Sequence, residues 1–204
     1  MFKLGSFVAG ALTAIAAAFL GAGVFLASSH GLSAREQPGS IERWVARRAR
    51  RFALPADVRE RRNPVADSAT ALADARAHWA DHCAACHANN GSGDIEMGKR
   101  LYPRAPDMRQ PETQSMTDGE LFYVIQNGVR LTGMPGWGGG STHDELDSWK
   151  LVRFIRHLPD LSPQEEREMQ ALNPKSPDEL KEEQEEKEFL NGGQLHEQNE
   201  HHHH

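Results

Sequence analysis

The hydrophobic residues of this chain form one long apolar run, followed by shorter stripes with helical spacing. Residues 4–27 contain no charged side chain. As a helix this run would be about 36 Å long, enough to cross a bilayer core of about 30 Å. A cleavable export signal usually has a shorter apolar stretch, of about 7–15 residues. We therefore expect residues 1–30 to form a retained transmembrane anchor, although Ala27-Ser28-Ser29 would also suit signal-peptide cleavage.

A second amphipathic pattern covers residues 40–54, where arginines alternate with large apolar side chains. The apolar stripe consists of Ile41, Trp44, Val45 and Phe52. These positions share one helical face, and Pro55 ends the pattern. Two hypotheses stay open: the apolar side lies on the outer leaflet or a partner protein, or the segment is a solvated spacer. Either way it belongs to a basic arm, residues 31–68.

Residues 69–160 have the hydrophobic periodicity of a small all-α domain. One stripe consists of Leu72, Ala75, Trp79 and Cys83. A capping box at Thr117–Glu120 predicts the start of a helix that Gly128 ends. A second capping box, at Thr142–Glu145, predicts a helix that Pro159 closes. No segment has a convincing strand pattern, so the predicted fold class is all-α, preceded by a single transmembrane helix.

The distribution of charge divides the 204-residue chain into the same segments. Residues 41–62 carry eight arginines and three acids, whereas residues 160–200 carry four basic and thirteen acidic side chains. The overall net charge of −6 argues against nucleic acid as a partner. We predict that the tail, residues 161–204, is a solvated helix or disordered. Its terminal histidines would suit Cu, Ni or Zn ions but fix no geometry, so we interpret them as a fortuitous polar end or a purification remnant.

The chain's two cysteines stand in the run Cys83-Ala84-Ala85-Cys86-His87. The pattern C-x-x-C-H is the attachment signature of c-type haem. On a helical turn the three side chains share one face. Two thiols can then add to the vinyl groups of one porphyrin, while the imidazole reaches the iron. The pattern therefore predicts one covalent haem c, with His87 as a ligand of the iron.

Two other uses of the cysteine pair fit the sequence less well. A redox C-x-x-C normally follows a strand at the start of a helix, but here an amphipathic helix precedes it. A zinc site would combine Cys83 and Cys86 with His82 or His87, and it usually adds a second ligand pair. No such pair stands at a suitable spacing in the sequence.

A methionine in a loop of glycine and proline is the predicted sixth ligand. Met134 lies between Gly133 and Pro135, 47 residues after His87. Thioether sulfur is a soft ligand that raises the potential of haem iron. Glycine leaves room for close backbone approach to the macrocycle, and proline fixes φ. Three rival methionines stand in weaker contexts: Met97, Met108 and Met116.

Together, Cys83–His87 and Gly133–Trp137 resemble a class I cytochrome c domain covering residues 69–160. The resemblance implies a small helical fold around one covalent haem with His/Met ligation. The segment around Pro106 is similar to the family segment in which a proline carbonyl accepts a hydrogen bond from the proximal imidazole. The resemblance therefore implies that Pro106 orients the ring of His87.

The resemblance also implies electron transfer without substrate chemistry, because both axial positions of the iron are filled. With the anchor, it predicts a single-pass protein of a bacterial inner membrane whose haem domain lies in the periplasm. Arginines beyond the anchor oppose the positive-inside rule, but haem attachment requires export. The expected partners are membrane redox enzymes, as electron donor and acceptor, and membrane lipid.

Three alternatives stay open. In the first, the chain is a haem subunit of a larger membrane dehydrogenase or oxidase complex. In the second, it is a haem-based ligand sensor from whose iron Met134 dissociates. In the third, it traffics metal ions without haem, through Cys83, Cys86 and the terminal histidines.

Overall fold

The computed structural model describes residues 4–28 and 33–190, and every regular element in them is a helix. The α-helices are α1 (Leu4–Ser28), α2 (Ser40–Ala53), α3 (Ala69–His78), α4 (Ala84–His87), α5 (Glu96–Arg100), α6 (Pro111–Gln114), α7 (Asp118–Asn127), α8 (Thr142–His157), α9 (Pro163–Gln170) and α10 (Pro177–Leu190). The predicted all-α class is confirmed. The terminal histidines that suit metal ions lie outside the described residues.

The first helix is apolar along its whole length. Gly5–Ala27 is long and hydrophobic enough to cross a membrane, and none of its most apolar stretch is buried against the rest of the protein. A helix that is hydrophobic all round and unpacked in water would expose a large apolar surface. The structure therefore agrees with the expectation of one candidate membrane span.

The core of the helical domain is formed where α3 and α7 pack on α8. Trp79 follows α3 and its ring centroid lies 5.3 Å from that of Phe154 on α8. Phe122 on α7 stacks on Trp149 of α8 at 4.1 Å. All four rings are buried, so aromatic packing fixes the helices that surround the C-x-x-C-H turn.

The helix boundaries follow local capping chemistry. At α7 the predicted box is present, with Thr117 capping the backbone of Glu120, and Gly128 ends the helix. The second box was predicted one residue too late. Ser141 accepts a hydrogen bond from the backbone of Asp144, whose carboxylate accepts one from Ser141 in return. Aspartate thus takes the place of the glutamate that the usual pattern contains, and α8 begins at Thr142.

The acidic tail is attached to the domain by its first helix. Met169 on α9 is completely buried and belongs to the hydrophobic core. Glu165 of α9 lies 3.0 Å from His157 and 3.8 Å from Arg76. The packed core therefore includes residues beyond position 160. Helix α10 has no buried residues, as expected for a solvated helix.

The basic arm is attached as well. Helix α2 begins at the predicted residue and ends one residue before the predicted limit of 54, and a 3₁₀ turn at Ala56–Glu60 follows it. Leu54 and Val58 are buried. The amide of Asn63 donates to the backbone oxygen of Trp149 at 2.8 Å. These contacts hold the arm against the helical domain and leave α2 at its surface.

Candidate haem site

The C-x-x-C-H turn follows directly on α3, one of the helices that form the core. Helix α3 widens into one π-helical turn, Trp79–Cys83, which continues into α4. The buried indole of Trp79 donates from Nε1 to the backbone oxygen of Ala88 at 3.0 Å, and Ala88 leaves the helix at φ 60°. A widened turn between two helices is a common feature of functional sites. Here the wider turn changes the direction of the two cysteine side chains relative to those of α3.

The two thiols are free and half-buried. Burial, together with the neighbouring Cys86, raises the pKa of the Cys83 thiol to about 12. A neutral apolar environment disfavours the thiolate, the form that binds zinc or attacks a disulfide. Among the described residues, no cluster of three or more His, Cys, Asp or Glu side chains is arranged to hold a metal ion. The raised thiol pKa and the lack of a further ligand cluster among the described residues are therefore evidence against a zinc site, whereas thioether attachment is indicated by the C-x-x-C-H motif.

His87 is buried in apolar surroundings. Desolvation lowers the pKa of its imidazole to about 4, so the ring is neutral at pH 7, as metal coordination requires. Its ring centroid lies 5.8 Å from that of Trp79. Its Nδ1 atom is buried without a hydrogen-bond partner among the described residues. Buried polar atoms are nearly always satisfied, so the unpartnered Nδ1 indicates a binding site for a further group. A haem with an axial histidine fits this site, because the imidazole is neutral and two thiols are adjacent.

The role predicted for Pro106 stays a prediction. Nδ1 of His87 has no hydrogen-bond partner among the described residues, so a bond to the Pro106 carbonyl is not observed. A Cβ added to Gly93 would stand 3.2 Å from the Pro106 oxygen, so these two backbone segments lie close together. The Pro106 segment is thereby tied to the site, because Gly93 donates to the backbone oxygen of His87 at 2.9 Å. Pro106 is therefore a neighbour of the histidine loop.

The loop that carries Met134 is folded tightly against the end of α7. The backbone N–H of Val129 donates to the oxygen of Met134 at 3.1 Å, and Thr132 Oγ1 accepts from the N–H of Met134 at 3.1 Å. Gly128 has φ 68°, and a Cβ there would lie 2.6 Å from the backbone of Met134 and Pro135. Glycine at 128 thus both ends α7 and allows the loop to lie close to it.

An aromatic contact brings this loop to the cysteine turn. The rings of His82 and Trp137 meet edge to face with centroids 5.4 Å apart. His82 is also 4.8 Å from the ring of His78, and its Nδ1 lies 3.0 Å from the carboxylate of Asp81. Since His82 precedes Cys83 and Trp137 follows Met134 by three residues, the structure brings the two predicted ligand segments together.

The rival methionines lie in different environments. Met97 is largely exposed. Met116 is buried in the core, and its sulfur accepts from Arg50 Nη2 at 3.8 Å. Met108 packs against the core, and its N–H donates to the oxygen of Gly91 at 2.8 Å. None of the three stands in a loop that contacts the cysteine turn through an aromatic pair, as Met134 does through Trp137.

Two functional features were missed from the sequence. The sequence identifies Gly128 as a helix terminator but does not show its contact with the Met134 loop. The contact between the rings of Trp137 and His82 is not predictable from the sequence either. A sequence signal exists for the first: a glycine six residues before the methionine can end a helix and also receive the returning loop.

Residues 70–155 match the family model described as "Cytochrome C oxidase, cbb3-type, subunit III". The matched segment runs from α3 through most of α8 and contains the cysteine turn and the Met134 loop. No curated protein matches the chain.

Proposed function

We propose that residues 70–155, which match the family model, form a class I c-type cytochrome domain with one covalent haem, and that the chain is a membrane-tethered one-electron carrier. The haem supplies the Fe(III)/Fe(II) couple. In this proposal Cys83 and Cys86 attach it, and His87 and Met134 hold the iron from its two sides. Two filled axial positions favour electron transfer over binding of a substrate.

The observation that carries the proposal is the contact between Trp137 and His82. It joins the segment of the buried, neutral imidazole to the segment of the only methionine bracketed by glycine and proline. Bonds within the loop add support: Met134 is fixed at both its N–H and its carbonyl. Rigid placement of a weak thioether ligand keeps it on the iron in both oxidation states and reduces reorganisation during electron transfer.

The proposed location is the outer face of a bacterial inner membrane. Gly5–Ala27 would cross the bilayer once, and the haem domain would lie in the periplasm because haem attachment requires export. A tether raises the effective concentration of a carrier near membrane redox enzymes, which are its proposed donor and acceptor.

A haemochrome and extraction experiment on the full-length protein tests this proposal. We expect a c-type haem spectrum, resistance to alkaline extraction from membranes, and a single reversible one-electron wave. The Cys83→Ala/Cys86→Ala variant should lack covalent haem and serves as the control. Rapid CO binding to the reduced protein at neutral pH would contradict a filled axial position and support the ligand-sensor alternative instead.

A second candidate function is a haem subunit of a larger membrane oxidoreductase. The description of the matching family, an oxidase subunit, favours it. So does helix α10, whose solvated acidic surface has no contact inside the described chain that buries it. Mild detergent extraction followed by size-exclusion chromatography distinguishes the two functions. A carrier elutes at the size of the single chain in its micelle, whereas a subunit elutes with other haem or flavin proteins.

A further inference from the structure

Helix α2 has one side bound to the haem domain. Glu42 accepts a hydrogen bond from the hydroxyl of Tyr102. Arg47 lies 3.5 Å from Glu112, and Arg50 donates to the sulfur of Met116. These three positions lie on a common side of α2, within about 140° of one another at 100° per residue.

The opposite side of α2 is an apolar surface that has no partner among the described residues. It consists of Ile41, Val45 and Phe52, which are 78%, 51% and 93% exposed, with Trp44 on its flank at 57%. Their average direction lies opposite to that of Arg50 on the helical wheel. Contiguous exposed apolar groups of this size mark an interaction site in a soluble domain.

The charge around this surface has a single sign. Helix α2 contains five arginines and one acid, Glu42, and Glu42 is turned toward Tyr102 on the domain side. Arg48 lies beside the apolar surface, with its guanidinium carbon 5.6 Å from the centre of the Trp44 ring. Apolar side chains flanked by arginine and tryptophan are the composition of a helix that lies in the interface of an anionic membrane.

The position of α2 in the chain places it beside the bilayer. Eleven residues separate Ser28, the last residue of α1, from Ser40, the first of α2. Even fully extended, they span no more than about 40 Å. Since a bilayer begins where α1 ends, the lipid surface is always within reach of α2, whereas a protein partner must be recruited.

We propose that α2 docks in the headgroup region of an anionic phospholipid bilayer, with Ile41, Val45 and Phe52 inserted and the arginines at the phosphates. The inference deepens the proposed function, on whose membrane tether it rests. Through the contacts of Glu42 and Arg50 with the domain, the docked helix then fixes the orientation of the haem domain relative to the membrane plane. The domain is held in one orientation on the membrane, with the side of α2 that contacts Tyr102 and Met116 facing away from the lipid.

A nitroxide depth measurement on the full-length holoprotein tests the docking. A label is attached to cysteine introduced by Val45→Cys, on the apolar surface, or by Ala46→Cys, an exposed control position on the same helix. Both variants are reconstituted into vesicles of phosphatidylcholine alone or with phosphatidylglycerol. The haem is kept ferric in every sample, so that its effect on the relaxation of the label is the same in both kinds of vesicle and is removed by reference to a nitrogen-equilibrated sample.

Because α1 holds the protein in both kinds of vesicle, any difference between them reports on α2. We expect collisions of the Val45 label with oxygen to rise severalfold relative to those with a water-soluble nickel chelate when phosphatidylglycerol is present. The Ala46 label should change much less. The Arg48→Glu/Arg51→Glu variant should abolish the change while keeping the haem spectrum.

Equal water accessibility of the Val45 label in both vesicles would overturn the proposal. So would protection that appears only in native membranes, since a protein would then be the occupant. Failure of the tether itself is recognised separately, because the chain would be removed by alkaline extraction. Failure of the carrier function would appear in the haemochrome spectrum or redox wave.

Discussion

The imidazole of His82 and the indole of Trp137 meet edge to face, with ring centroids 5.4 Å apart and planes at 87°. One ring belongs to the turn that carries both cysteines, and the other belongs to the loop that carries Met134. The pair therefore connects the two segments that are proposed to hold opposite sides of the haem iron. Its strength should influence how firmly the thioether is kept in place.

Loss of this ring pair should weaken the sixth ligand. An aromatic pair contributes about 0.5–1.5 kcal/mol, so Trp137→Ala should raise the affinity of the ferric protein for added imidazole by about 2- to 12-fold. Optical titration measures this affinity. The covalent haem and its reduced spectrum should be unchanged.

A double-mutant cycle isolates the contact between the two rings. If they act as a pair, His82→Ala should add little once Trp137 is already alanine. Fully additive effects of Trp137→Ala and His82→Ala would show that each ring acts independently, and that their contact does not stabilise the loop.

A side chain at position 128 should clash with the Met134 loop, in addition to being strained by the positive φ. Gly128→Ala would place Cβ 2.6 Å from the backbone of the Met134 loop, whereas Gly140 has a similar φ of 80° and open space around it. Gly140→Ala is therefore a matched control for backbone strain alone. Only Gly128→Ala should diminish the thioether charge-transfer band of the ferric protein. Equal effects of both substitutions would mean that the close approach of the loop is unimportant.

Helix α9 should behave as part of the domain core. Met169 is completely buried, and truncation of a buried methionine to alanine costs about 2–5 kcal/mol. Guanidinium unfolding of Met169→Ala should show a loss of this order. Met97→Ala, at a largely exposed position, should change the free energy of unfolding by less than about 0.5 kcal/mol. A loss below 1 kcal/mol at Met169 would mean that α9 is detached in solution.

The ion pair of Asp107 and Arg109 should give the domain a small acid-sensitive stabilisation. Arg109 donates two hydrogen bonds to the carboxylate, at 2.8 and 2.9 Å, and these lower the pKa of Asp107. A carboxylate with a lowered pKa in the folded protein stabilises it above the unfolded value of about 3.9, and this contribution disappears as the pH falls through the folded value.

Asp107→Asn should therefore cost about 0.2–1 kcal/mol at neutral pH, the range of partly exposed ion pairs. Denaturant titrations of both proteins at a series of pH values measure the difference. The two free energies of unfolding should converge in acid. A difference that persists below the lowered pKa would assign the loss to the shape of the side chain and not to its charge.

The sequence predicted those features that depend on local chemistry. The stripe from Leu72 to Cys83 predicted the helix that leads to the site, and Thr117, Glu120 and Gly128 marked the ends of α7 because capping depends on neighbouring residues alone. The start of α8 was missed by one residue, since Asp144 can replace the usual glutamate in the capping box. The family match supports the haem that the C-x-x-C-H motif predicted.

Features that depend on tertiary packing were not predictable in this way. Met169 lies in an acidic, polar sequence, and only the position of α9 against the core shows that it is buried. The surroundings of His87 Nδ1 likewise depend on tertiary packing, which the resemblance alone does not fix. The sequence likewise does not show that the polar side of α2 faces the domain, which only the contacts of Glu42 and Arg50 establish.

The identity of the sixth ligand is tested most directly by near-infrared magnetic circular dichroism of the ferric protein. We expect a thioether-to-iron band in the wild type and in the control Met97→Leu, and its loss in Met134→Leu. With that loss the potential should fall by on the order of 0.1 V, within the roughly 0.8 V that axial ligands span. A thioether band that survives in Met134→Leu, or its absence from the wild type, would show that Met134 is not the sixth ligand.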